Sequence, residues 1–440
     1  EIGSGLVGSE MCIRDRSSTI NKSWASGAIT LTGTEKTTSI WDAGYNFAGG
    51  LVGSVDLNSG AITITNSYST GMSKITEADD KSHSYMGGLV GGSVGGDSSS
   101  KYLTISNSYS SGKVVDENEK VVDYDSKIGG IFGYSETGDT VLIENSFFDM
   151  EKSGLSNGTG SALGSFNGAV TTSQITDKVN ALKKEINSAM QANSYTPGTD
   201  GAKEYNYFDV KVNRITEDEA NSKGYIVIKT AQDFIDKIVN NYSGTQGKTY
   251  ILMNDLDFTG LSGYSKTNFY GTFDGNGYTI KGLSESLFNN TYNGNTTTHA
   301  VIKNVGLENV NINKTQSNVG ALVGNAKNYT EISNIWVTGT VKGQGNTGGL
   351  VGSAGSYVSI TNSYSSANIS CANNGNYNYI GGLVGNMSSY GEITNSYTTG
   401  SVSGNVYVGG VAGSIGGESK LTNIYSTGCL LYTSPSPRDR

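Results

Sequence analysis

An all-β chain, built as a right-handed parallel β-helix (β-solenoid) with its repeats in two lobes and a short helical connector, is the fold class the sequence predicts. Three observations predict it. First, Gly348 to Tyr364 (GGLVGSAGSYVSITNSY) has close relatives along most of the chain, pairing Gly-Gly-Leu-Val-Gly with a later Ile-x-Asn-Ser-Tyr. Second, runs such as Ile62 to Tyr68 alternate apolar and polar residues with period two and show no helical period. Third, 62 Gly against 3 Pro suits many tight turns between short strands. A single repeat cannot bury its apolar face, whereas stacked repeats share a continuous core.

The two ends read differently from the rest. Residues 6–16 (LVGSEMCIRDR) and 429–440 (CLLYTSPSPRDR) resemble translations of the two strands of a sequencing adapter, so 1–16 and 429–440 are set apart as artefact. Cys371, Pro197 and Arg214 are then the only residues of their types in the remaining chain.

The first repeat region spans 17–176. It opens in mid-repeat at Ile20, and its Gly-rich halves contain Gly50, Gly88 and Gly130, each followed by Asn66, Asn107 and Asn145 in turn. Ile64, Ile105 and Ile143 are separated by 41 and 38 residues, the excess over later repeats lying in polar, acidic loops near residues 75–84 and 116–127. Residues 177–204 form helix and linker. Ile175, Val179, Leu182, Ile186 and Met190 recur at helical spacing after Thr172 or Ser173 as N-cap, and Pro197-Gly198 lies beyond the end. A head segment for the second lobe spans 205–290, with a strand at 225–228, a capping box at Thr230 to Asp233 and strands in YILMNDLDF and FYGTFDGNGYTI. The second repeat region, 291–428, carries Gly320, Gly349, Gly382 and Gly410 with Asn304, Asn334, Asn362, Asn395 and Asn423. From Ile302 onward its spacings are 30, 28, 33 and 28, enough for three short strands and tight corners.

Strand parity puts Ile62, Ile64, Asn66 and Tyr68 on one face and Thr63, Thr65 and Ser67 on the other. The expectation is an inward ladder of Asn amides satisfying one another and an outward Ser/Thr face. Tyr68, Tyr109, Tyr364, Tyr397 and Tyr425 share one repeat position and could either pack at a corner or form a sugar-stacking strip, which makes them the candidate ligand contacts.

Other chemistry is thin. A net charge of -9 disfavours nucleic-acid binding, which needs a basic stripe. No 18-residue apolar run reads as a membrane span. A single Cys outside the tails and isolated His83 and His299 offer no zinc cluster, and no cofactor or metal is expected. Asp255, Asp257, Asp274 and Asn276 are calcium-type ligands, but their spacing fits no EF-hand and turns need them for backbone reasons. A glycosidase pair of carboxylates at equivalent repeat positions is missing. GGLVG lacks the Lys-Ser/Thr of a phosphate loop.

With GGLVG followed by ITNSYS-x-G, the chain resembles proteins carrying the GLUG repeat, which occurs in bacterial surface and secreted proteins. YILMNDLDF with FYGTFDGNGYTI resembles the head that precedes such repeats, and FFDMEKSGLSNGTG with TTSQITD resembles an exit segment. The resemblance implies an extracellular or wall-attached location and a non-enzymatic, monomeric scaffold of adhesin or stalk type, with glycans or proteins as partners. Some streptococcal immunoglobulin A metallopeptidases carry this repeat upstream of their catalytic part. A non-catalytic region of a larger secreted enzyme is therefore the alternative, and the zinc-binding HExxH is absent from this sequence.

Overall fold

The computed structural model describes residues 12–14, 18–32, 46–57, 61–76, 84–94, 102–115, 128–135, 140–160, 168–178, 180–182, 212, 214–264, 268–292, 295, 297–315, 317–371, 379–404, 407–428 and 430–432. They are mostly β-strand with few helices. The strand pairings run parallel and join equivalent positions of successive repeats. Ile302 faces Ile332, Ile332 faces Ile360, Ile360 faces Ile393 and Ile393 faces Leu421. Two further ladders run beside this one. One joins Asn318–Gly320 to Asn346–Gly348, Tyr379–Gly381 and Tyr407–Gly409, and the other joins Val323–Ala326 to Val351–Ala354, Val384–Met387 and Ala412–Gly416.

The GGLVG motif is the corner between those two ladders. Leu350 N and Val351 N both donate to Leu383 O, at 2.9 and 3.0 Å, so one carbonyl of the next repeat satisfies two corner N–H groups. The pattern repeats where Leu51 and Val52 donate to Leu89 O, and where Leu89 and Val90 donate to Ile131 O. Gly is needed for space here, not for a left-handed φ. A Cβ on Gly349 would lie 2.2 Å from Gly382 O and 2.3 Å from Ser365 Oγ.

The parity expectation fails at the Asn. Asn66, Asn107, Asn145, Asn304, Asn334, Asn362, Asn395 and Asn423 all have φ between 45° and 60°, a left-handed residue that interrupts the in-out alternation and turns the following residues by one step, even where the strand runs on through it. Ile64 stays inside, but Ser67, Ser69, Ser363 and Ser365, expected outside, are buried. Asn is the residue that tolerates this backbone best after Gly, and its amide reaches along the stack. Ser363 Oγ donates to Thr361 O at 2.8 Å and accepts from Ile335 N at 3.2 Å. The Ser is thus an interior fastener between repeats.

The two lobes are also not separate. Ser18–Asn21 pairs with Lys420–Ser426, with Ile20 opposite Leu421, and on its other edge pairs with Ile62–Thr65. The spatial order therefore begins in the head, passes through 301–313, 331–343, 359–361, 392–398 and 420–426, and continues into 18–21, 62–65, 102–106 and 140–144. Cys12–Arg14, in the stretch set apart from the sequence as artefact, pairs with Ala412–Gly416. Sequence spacing sets the register between repeats but cannot say which exposed edges meet.

Both ends of the stack are closed by dedicated segments. At the head, Ile226–Ile228 pairs with Thr249–Leu252, and Phe234, Phe258, Phe269, Phe273 and Phe288 pack in the core edge to face or tilted, with Phe269 and Phe288 stacked. Thr230 and Asp233 form the expected capping box, and Thr216 with Glu219 forms another. At the exit, Gly158 O accepts from Ile131 and Phe132, the role played elsewhere by the next repeat, and Leu155 fills the core beneath. The acidic loops at Asp79/Asp80, Glu117/Glu119 and Asp123/Asp125 lie outside the described residues.

Ser363→Ala should cost about 1–3 kcal/mol in denaturant melts, because it leaves Ile335 N without its buried acceptor. Gly349→Ala should cost at least as much, and a Gly349→Ala protein melting with the parent would show that the corner can open.

Candidate functional site

Two side-chain columns and the head turn hold the residues singled out from the sequence. The first column is the Asn corner. Asn304 Nδ2 donates to Asp274 Oδ1 at 3.0 Å, Asn334 to Asn304 at 2.8 Å, Asn395 to Asn362 at 3.3 Å and Asn423 to Asn395 at 2.9 Å. Asn107 donates to Asn66, and Asn145 to Asn107 at 3.4 Å. In the first repeat, Lys22 occupies the corner with φ 51°, and Asn21 beside it accepts from Asn66 Nδ2 at 2.9 Å instead. Most of these amides bond along the column, at the strand spacing of about 4.8 Å. The chemistry is structural.

The second column is aromatic. In register along the stack stand Trp336, Tyr364, Tyr397, Tyr425, Trp24, Tyr68, Tyr109 and Phe147. Tyr364 and Tyr397 stack at 4.8 Å, Tyr397 and Tyr425 at 4.7 Å, and Tyr425 and Trp24 at 4.6 Å. This column forms an apolar cluster of its own, apart from the main core, which it shares with Ile175 and Leu182. Both come from the helical residues 172–178 and 180–182 that follow the exit. Tyr68, Tyr397 and Tyr425 are 0–1% exposed and Tyr109 7%, which removes their faces from any ligand; only Tyr364 is half-buried. The sugar-stacking expectation for these rings is therefore corrected: covered aromatics at one repeat position are a second core.

The exit motif explains how that cover is held. Asp149 Oδ1 accepts from Glu151 N, Lys152 N and Thr172 Oγ1, while Glu151 Oε2 accepts from Thr172 N at 2.9 Å. Thr171, one residue before the expected N-cap, exchanges hydrogen bonds with Gln174 in a capping arrangement. Lys178 Nζ sits 4.1 Å from the Phe147 ring centre. Val179, Ile186 and Met190 of the expected apolar face lie outside the described residues.

Sequence reasoning missed an outer aromatic column. Tyr329, Tyr357 and Tyr390 each stand three residues before the repeat Ile, have φ of 60–63°, and stack at 4.8 and 4.7 Å. The shared offset from Ile332, Ile360 and Ile393 was the available signal. Tyr357 is 44% exposed, yet face-to-face stacking leaves mainly ring edges and hydroxyls to solvent, and Tyr390 OH donates to Glu418 Oε1 at 3.0 Å.

The calcium-type residues at the head are turn fasteners. Asp255 Oδ1 accepts from Thr279 N and Oγ1, Asp274 Oδ1 from Asn276 N, and Asp257 Oδ1 from Thr259 N. Hydrogen bonds from the Thr259 side chain, then its backbone, hold the Asp257 carboxyl below the usual range. Asn276 is buried with φ 50°, accepts from Ile215 N and donates to Ile215 O, while Arg214 covers Tyr278 at 3.9 Å. Among the described residues no group of three His, Cys, Asp or Glu could hold a metal, and no helix is long and apolar enough to cross a membrane. His299 contacts Asn295 O and Glu331, and His83 lies outside the described residues. Burial pushes the Cys371 thiol up to about 11.

Two outcomes follow from this geometry. Ile175→Asp should uncover the aromatic column, seen as increased dye binding and faster proteolysis within residues 172–182; unchanged cleavage would place the cover elsewhere. Cys371, largely protonated at pH 8, should react with a disulfide reagent at least tenfold more slowly than in denaturant, and the gap should narrow as pH approaches 11.

Known proteins similar to this chain point in one direction. The family model described as the M26 IgA1-specific metallo-endopeptidase N-terminal region matches residues 184–339. An immunoglobulin A1 protease of Streptococcus sanguinis is 32% identical over 117 residues, which are 25% of this chain and 6% of that protein. A crystal structure of a putative immunoglobulin A1 protease from Bacteroides ovatus aligns with a TM-score of 0.39 at 23% identity, covering 47% of this chain and 67% of that one. A second structure, of an IgA1 protease, gives 0.37 at 20% identity over 51% of this chain and 21% of its own. The matched stretch is thus similar to the N-terminal region of these metallo-endopeptidases, and the chain spans 6% of the curated relative's length.

Proposed function

We propose that the chain is a non-catalytic scaffold from the N-terminal region of a secreted bacterial immunoglobulin A peptidase, built as a right-handed parallel β-solenoid of GLUG-type repeats. The observation that carries this reading is the match of residues 184–339 to the N-terminal region of the M26 peptidases. That stretch takes in the head and the first repeats that start the stack. The sequence adds the lack of an HExxH zinc helix. The columns of Asn, Ser and aromatic residues support a role in which side chains are consumed by stacking. Such an element holds a catalytic part at a fixed reach from its anchor, and it belongs outside the cell or at its surface. The adhesin reading loses its main support with the burial of Tyr68, Tyr109, Tyr397 and Tyr425.

Purified chain incubated with immunoglobulin A1 and zinc should leave the heavy chain intact on gels. Heavy-chain fragments that disappear with chelator would overturn the non-catalytic assignment. Binding to a glycan array that is lost in Tyr357→Ala would revive the adhesin reading.

A further inference from the structure

Tyr329, Tyr357, Tyr390 and Glu418 share one repeat position, each three residues past a ladder residue, since Ala326 faces Ala354, Ala354 faces Met387 and Met387 faces Ile415. All four have φ of 60–63°, so the same left-handed corner carries the side chain in every repeat. The three rings are nearly parallel, at 3° and 8°, with centres 4.8 and 4.7 Å apart. The inner pairs Tyr364–Tyr397 and Tyr397–Tyr425 have the same spacing, 4.8 and 4.7 Å. Two features set the outer column apart. Tyr357 is 44% exposed, against 1% for Tyr397 and Tyr425, and Tyr390 OH donates to the Glu418 carboxylate at 3.0 Å.

Oxidative coupling of phenols needs both features. A tyrosine gives up an electron readily when its phenolic proton has an acceptor within hydrogen-bond reach, and Glu418 is placed to take the proton of Tyr390. Tyr357 is open to an oxidant, and near-parallel rings at stacking distance bring the carbons beside the two hydroxyls within reach of each other. Outside the tails set apart as artefact the sequence has one Cys, so no disulfide can staple neighbouring repeats.

We propose that Tyr357 and Tyr390 form a site of covalent cross-linking between repeats, made by a one-electron oxidant of the peroxidase class using hydrogen peroxide. Each tyrosine loses one electron and its phenolic proton, the proton of Tyr390 passing to Glu418. The two radicals join through the ring carbons ortho to oxygen, and the hydrogens on those carbons move to the oxygens, restoring both phenols. The net change is loss of two ring C–H bonds and gain of one C–C bond. The two electrons and two protons released reduce one peroxide to two waters. The new bond ties positions 33 residues apart in adjacent repeats, and it constrains the unfolded chain as a disulfide does.

The test treats the full chain, dilute, with a haem peroxidase and hydrogen peroxide and follows intact mass, dityrosine fluorescence and linked peptides after digestion. The monomer should lose two hydrogens, and the dominant linked pair should hold Tyr357 and Tyr390. Tyr357→Phe, which keeps a ring in the stack, should abolish that product. Glu418→Gln, which removes the proton acceptor, should slow its formation at least about fivefold. Tyr397→Phe should leave the rate unchanged. A chain that only gains oxygen or links only between molecules would overturn the proposal. So would a dominant link at Tyr329 or among Tyr364, Tyr397 and Tyr425, or a rate indifferent to Glu418→Gln.

Discussion

One carbonyl serving two corner N–H groups is the contact on which the stack depends. Leu383 O holds both Leu350 N and Val351 N, and the repeat before and the repeat after are tied in the same way. Buried backbone groups must be paired, and a corner with no side-chain acceptor can pair only with the neighbouring repeat. The backbones must then approach closely enough that a Cβ at Gly349 has no room. The Gly-rich half of the motif is thus a packing requirement, and the exit segment succeeds as a cap because Gly158 O supplies the same acceptor without a further repeat.

Much of this architecture was legible in the sequence, and the misses have physical causes. Period two located the strands and the recurrence located their neighbours, as Ile360 opposite Ile393 shows. Alternation assumes an unbroken strand, and it fails at Asn362 because a left-handed residue resets the phase, placing Ser363 inside. The capping box at Thr230 was readable because it is local. That Ile175 and Leu182 join the aromatic cluster was not, because a helical pattern announces an apolar face without saying what lies against it. Nor could spacing reveal that Leu421 and Ile20 are neighbours, since both are ordinary repeat positions and the contact joins distant parts of the chain.

The same facts narrow the functional reading. A column of stacked rings suggests sugar binding only while its faces are open, and here the rings of Tyr397, Tyr425 and Trp24 stack on one another and are buried. The acidic residues of the head are likewise occupied by turns. The side chains singled out from the sequence are thus largely turned inward, which accords with the scaffold role proposed above for a stretch similar to the M26 N-terminal region.

Separate closures at the two ends give the array the properties of a ruler. Asn276 and Arg214 fasten the head to its first turn, and Asp149 fastens the exit, each through bonds within its own end segment. Duplication or loss of one internal repeat would leave both fastenings unchanged and alter the span by one strand spacing, about 4.8 Å. The number of repeats is thereby the one variable that sets the span, and it changes in fixed steps without any redesign of the ends.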